Sequence, residues 1–73
     1  MEIGMIEFAI DSGWVLTASK NVYGYTATLH KRGFEPIGGP PEHDVVSALE
    51  RLSAIVAADY ETDMLAEANA RAN

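Results

Sequence analysis

A Gly-Gly-Pro-Pro run at residues 38–41 divides the chain into two parts that differ in hydrophobic period. Two adjacent prolines remove two main-chain N–H donors, so neither a helix nor a central strand continues through them. Before the run, apolar residues recur at every second position, which is the period of a half-buried strand. After it they recur every three or four positions, which is the period of an amphipathic helix. The pattern predicts an α+β fold in which a sheet precedes a helix.

The alternation before the run predicts an antiparallel meander of three or four strands with one apolar face. Turn signals, Asp-Ser-Gly and then Lys-Asn, separate the first segments, and a proline confines the last segment to an edge of the sheet. The predicted strands cover about residues 2–10, 14–19 and 22–30, with 34–37 as a short fourth strand.

Two tyrosines belong to the segment with the cleanest alternation. Tyr23 and Tyr25 share one face with Ala27 and Leu29, and the opposite face is rich in threonine. The simplest interpretation places both rings in the core. If the helix covers only part of the sheet, Tyr23 and Tyr25 instead become anchors for a partner protein, because aromatic side chains are favoured at interfaces.

The second part predicts one long helix over about residues 42–68. We expect it to begin directly after the prolines, with Glu42 and Asp44 at the positive end of the helix dipole. The apolar stripe should pack on the sheet and close the core of a single domain, residues 1–73. Its members are spaced by three and four residues: Val45, Leu49, Leu52, Val56 and Tyr60.

All of the net charge of −6 lies in the second half of the chain, since residues 1–34 carry three acids and three bases. The densest acidic cluster is Asp59, Glu61, Asp63 and Glu67. Like charges four residues apart on a helix destabilise it. One interpretation is that a basic partner relieves this repulsion; the other is that the cluster is a solvated face that keeps the protein in solution.

The composition argues against several classes of function. The chain has no cysteine, and its two histidines show no metal-ligand spacing, so we expect no metal and no cofactor. No serine lies in a nucleophile motif, so we expect no catalytic residues and no enzyme. Because few basic residues are clustered, we expect no direct binding of nucleic acid or of an anionic membrane. The start shows no basic signal-peptide region, which favours a cytoplasmic location.

Residues 14–56 resemble the small ββ(β)α domain of HicB-type antitoxins. The resemblance rests on a hydrophobic strand, a glycine-aromatic strand, a glycine turn and an amphipathic helix, at residues 14–18, 23–29, 37–39 and 47–49. The sequence departs from the family at residues 31–34, where Lys-Arg-Gly-Phe replaces a Pro-Asp-Leu-Pro-Gly type turn. It also leaves no room for the DNA-binding domain that those antitoxins often carry. The resemblance implies a fold, and it assigns no functional residue.

Three functions follow as expectations. The first is a small acidic inhibitor that occludes the basic, nucleic-acid-binding surface of a partner protein, as phage-encoded inhibitors such as anti-CRISPR proteins do; the likeness to them is one of size and charge. The second is a HicB-like antitoxin that neutralises a small basic toxin, for which the resemblance implies a homodimer. The third is a structural or accessory subunit whose sheet edge pairs with itself or with another chain.

Overall fold

The computed structural model describes residues 2–72, with side chains for residues 2–60. Its elements follow the order α1, β1, β2, β3, α2 along the chain. Their bounds are Gly4–Asp11, Val15–Asn21, Gly24–His30, Ile37–Gly38 and Val45–Ala72. The strands form one antiparallel sheet in the order β1-β2-β3, with β2 in the centre. Helix α2 packs against β2, which confirms the α+β class.

The prediction of a strand at residues 2–10 is wrong, because this segment contains helix α1. Ile6 and Ala9 are its buried residues, and they are three positions apart, as the face of a helix requires. The alternation that suggested a strand placed Ile6, Phe8 and Ile10 on one face, but Phe8 and Ile10 are exposed. Contacts of α1 with α2 and with β1 stabilise a helix too short to form alone.

Gly13 ends α1 and sets the direction of β1. Its φ of +100° is a left-handed conformation that favours glycine. The main-chain N–H of Gly13 donates to Ile10 at 3.0 Å, and that of Trp14 donates to Ala9 at 3.0 Å. The turn therefore satisfies carbonyl groups that the helix end would leave unpaired.

The hairpin between β1 and β2 lies two residues later than the sequence predicted. Val22 and Tyr23 form the turn, and Asn21 pairs with Gly24 at its base. The Asn21 side chain accepts the main-chain N–H of Tyr23 at 2.8 Å, a bond typical of asparagine in turns. Gly24 has a φ of +134° and packs against the main chain of Glu42, where a β-carbon would clash with the carbonyl oxygen.

Helix α2 begins at Val45, so Glu42 is not in its first turn as predicted. Glu42 instead forms a β-bridge with Tyr25, donating and accepting one main-chain bond of 2.8 Å each. Asp44 precedes the helix and caps it: its carboxylate accepts the main-chain N–H of Ser47 at 2.7 Å. This bond lowers the pKa of Asp44 below its ordinary value. The short fourth strand predicted at residues 34–37 overlaps the observed β3, Ile37–Gly38, only at Ile37.

The core lies between the sheet and the two helices. Leu29 of β2 and Leu52 of α2 are fully buried, and Trp14 and Leu16 pack at its border. The helix stripe is only partly internal, since Val45 and Tyr60 at its two ends are exposed. The buried members of the core are Ile6, Ala9, Ala27, Leu29, Ala48, Leu52 and Val56.

Candidate functional site

The two predicted tyrosine anchors lie in different environments. Tyr23 is 81% exposed at the hairpin tip, so the prediction that it shares the apolar strand face is wrong. Tyr25 is half-buried against the core, and the Lys20 ammonium lies 5.3 Å from its ring centroid. Tyr23 thus belongs to the turn, whereas Tyr25 belongs to the strand.

Of the predicted acidic cluster, the structure describes the side chain of Asp59. The side chains of Glu61, Asp63 and Glu67 lie outside the described residues. Asp59 is exposed on α2, where it lines a groove of about 230 Å³ between the two helices. The groove contains Met5, Phe8, Ala9, Ser12, Trp14, Ile37, Val56, Asp59 and Tyr60.

A pair of aromatic rings joins the two sides of this groove. Phe8 of α1 and Tyr60 of α2 meet edge to face, with ring centroids 5.9 Å apart and an interplanar angle of 68°. Such contacts stabilise the packing of the two helices. The side chains nevertheless stay 52% and 47% exposed. They therefore offer an apolar surface in the same groove that Asp59 lines.

Asp59 is the acid that lines the groove, and no base neutralises it among residues 2–60. Glu7 and Asp11 are exposed on α1, four positions apart, but they do not line the groove. The ion pairs in this part of the chain are His43–Asp44 and Arg51–Glu42, and neither involves an acid of the groove. The combination of two aromatic rings and the unpaired Asp59 carboxylate, which we call the acidic groove, suits a cationic ligand with an apolar stem.

A second concavity, of about 470 Å³, has the opposite charge. Lys31 is anchored there: its ammonium donates to the Ser12 carbonyl at 2.8 Å and lies 5.3 Å from the ring centroid of Phe34. Phe34 in turn packs on Trp14, with centroids 5.6 Å apart. The cleft is lined by Gly13, Val15, His30, Lys31, Arg32, Phe34 and Pro36. Its anchored lysine connects the end of α1 to the loop after β2.

The histidines lie apart from the acidic groove. The His30 ring hydrogen-bonds the Thr17 hydroxyl at 3.0 Å on the solvent face of the sheet, and His43 pairs with Asp44 at 2.9 Å. Among the residues that the structure describes, no three His, Cys, Asp or Glu side chains are placed to hold a metal ion. The described helices include none long and apolar enough to cross a membrane.

Sequence reasoning missed Phe8 as a site residue because its exposure depends on a helix that was predicted as a strand. The available signal was the spacing of Ile6 and Ala9, which fits a helix and turns Phe8 away from the core. Tyr60 lies in the apolar stripe of α2, as predicted. Its side chain is half-exposed, however, whereas the stripe predicted burial.

A search against family models, curated proteins and solved structures finds nothing that matches the chain.

Proposed function

We propose that this chain is a small, non-enzymatic inhibitor that binds a basic surface of a partner protein in the cytoplasm. The acidic groove would take a lysine or arginine side chain of the partner. By occupying basic residues that otherwise hold nucleic acid, the protein blocks that ligand. The proposal needs no cofactor and no catalytic residue.

The observation that carries this proposal is the placement of Asp59 beside the half-exposed pair Phe8 and Tyr60. An arginine or lysine stem packs well on aromatic faces, and its charged end then reaches a carboxylate. A volume of about 230 Å³ suits one long side chain, because small-molecule sites generally occupy roughly 300–1,000 Å³.

The charge of the whole molecule supports the same proposal. A net charge of −6 on 73 residues steers the protein towards positive surfaces and away from nucleic acid itself. The HicB-like alternative uses the same chemistry, and it differs in the partner, which would be a small basic toxin. The identity of the captured protein distinguishes the two.

We expect tagged protein to capture a nucleic-acid-binding complex from the lysate of its host and to release it at moderate salt. Charged contacts at an interface rim are screened by salt. An oligonucleotide that the partner binds should compete with the captured protein.

The matched variants are Asp59→Lys and Glu50→Lys, which change the charge equally on the same helix. Glu50 is exposed and does not line the acidic groove. Asp59→Lys should weaken binding about 10-fold or more, since it removes a charge-assisted hydrogen bond. Glu50→Lys should have a much smaller effect. Equal effects of both variants, or a partner that resists high salt, would contradict the proposal.

A further inference from the structure

Strand β1 forms one edge of the sheet over seven residues, Val15–Asn21. The opposite edge is β3, which has only two residues. Every residue of β1 except Leu16 is exposed. The sheet therefore has one short edge and one long edge that is open to solvent.

The hydrogen bonds of β2 show which main-chain groups of β1 point to that open edge. Tyr25 exchanges two main-chain bonds of 2.8 Å with Glu42, and Ala27 accepts one of 3.3 Å from Gly39. Both residues therefore face away from β1. Their partners across the hairpin are Lys20 and Ala18. In an antiparallel pair, residues opposite such positions also point outward.

By the same alternation, Leu16 is the third outward residue of β1, since it lies opposite Leu29. Leu16, Ala18 and Lys20 thus present three N–H and three C=O groups at the edge. None of the main-chain bonds from outside the sheet reaches these three residues within the described part of the chain. Polar groups arranged in this way are a template for another strand.

The edge has few of the features that normally prevent pairing. Its register with β2 continues without a bulge from Val15 to Asn21, and the strand contains no proline. Lys20 is its one charged residue. Natural proteins usually protect an open edge with charges, prolines, bulges or a covering element.

We propose that β1 pairs antiparallel with β1 of a second copy, about a two-fold axis at Ala18. In this register Ala18 lies opposite Ala18 of the second copy, and Leu16 lies opposite Lys20. All three outward residues of each chain then form hydrogen-bonded pairs, which satisfies every main-chain group at the edge. The two three-stranded sheets become one sheet of six strands.

The strand itself favours a second copy as the occupant. An axis at Lys20 would place two lysines opposite each other, which is destabilising. An axis at Thr17 would leave Lys20 opposite a residue outside the strand, so one pair would be lost. The axis at Ala18 avoids both, and it places a small side chain at the axis. A chain of 73 residues also gains stability by association, because it buries a limited share of its own surface.

The two-fold axis can be located by disulfide formation, because the chain has no cysteine of its own. Directly opposite residues of a hydrogen-bonded pair lie about 5.5 Å apart between α-carbons, which a disulfide can span. We expect Ala18→Cys to oxidise rapidly to a covalent dimer. The control is Val22→Cys, which is also exposed but lies at the hairpin tip. Equal rates of dimer formation for both variants would overturn the proposed register.

A charge swap tests the pairing without a covalent bond. Ala18→Lys and Ala18→Glu should each weaken self-association about 10-fold or more, since like charges meet at the axis. An equal mixture of the two should recover dimers, measured by light scattering as twice the 7.9 kDa chain mass. Circular dichroism checks that each variant is folded.

Several results would overturn the proposal: a wild-type chain that stays monomeric at high concentration, charge variants that still dimerise alone, or a mixture that does not recover dimers. The inference is independent of the proposed inhibitor function. Asp59→Lys should leave the dimer intact, and salt should affect the dimer little because main-chain bonds hold it. Loss of partner binding and loss of dimers are therefore separate outcomes.

Discussion

Strands β1 and β2 have the same length and belong to one hairpin, yet they have different surroundings. In β2, Ala27 and Leu29 are buried under the helices, and neighbours on both sides accept or donate main-chain bonds. In β1, six of seven residues are exposed, and neighbours lie on one side only. The comparison shows that β2 contributes to the core and pairs on both sides, whereas β1 has one edge open to solvent.

The largest expected difference between the two strands is the loss of stability when a leucine side chain is truncated. Leu29→Ala should lower the free energy of unfolding by about 2–5 kcal/mol, because Leu29 is fully buried and its loss leaves a cavity. Leu16→Ala is the matched change at the facing position of β1, where the side chain is only partly buried. It should cost less than half as much in urea denaturation. Equal losses would contradict the division between the two strands.

A smaller effect is expected where β2 meets the segment before α2. Gly24→Ala should lower the free energy of unfolding by about 1–3 kcal/mol, because its φ of +134° is strained for alanine. The new methyl group would also meet the Glu42 carbonyl oxygen. Gly38→Ala is the control, since its β-carbon would lie 3.3 Å from the Thr28 hydroxyl, which can move. Thermal unfolding of both variants measures the difference.

The smallest of these effects depends on pH and acts on the helix that covers β2. The bond from Ser47 lowers the pKa of Asp44 in the folded chain. Its contribution to stability is therefore present above the unfolded value of about 3.9, and it is lost as pH falls through the folded pKa. Asp44→Ala should lower the melting temperature by roughly 5 °C at neutral pH.

Asp44→Asn is the matched control for this titration, because asparagine also caps helices but does not ionise over this range. The difference in melting temperature between this variant and the wild type should change between pH 7 and pH 3. A difference that stays constant over that range would contradict a role for the Asp44 charge.

The sequence predicted the elements whose period is unambiguous. Strands β1 and β2 alternate over seven residues each, and the α2 stripe repeats over several turns, so their positions were close to those observed. Helix α1 differs from the predicted strand because its short sequence fits both periods, and its contacts with α2 and β1 stabilise the helix. The start of α2 shifted because Glu42 pairs with Tyr25, a contact between distant parts of the chain.

The candidate site was less predictable than the fold. Asp59 was identified from charge alone, whereas its neighbour Phe8 could be placed only after α1 was known to be a helix. Tyr23 was misplaced because a shift of the turn by two residues moves a side chain from strand to hairpin tip. A site assembled from separate elements depends on how those elements pack, which local sequence patterns do not predict.

Amide hydrogen exchange along β1, measured by NMR at low and at high protein concentration, tests the open edge most directly. In dilute protein, Thr17 and Ser19 should exchange slowly because they bond to β2, while Leu16, Ala18 and Lys20 exchange quickly. At high concentration all five should be protected. Protection of Ala18 in dilute protein, or its continued fast exchange in concentrated protein, would contradict an open edge that a second copy closes.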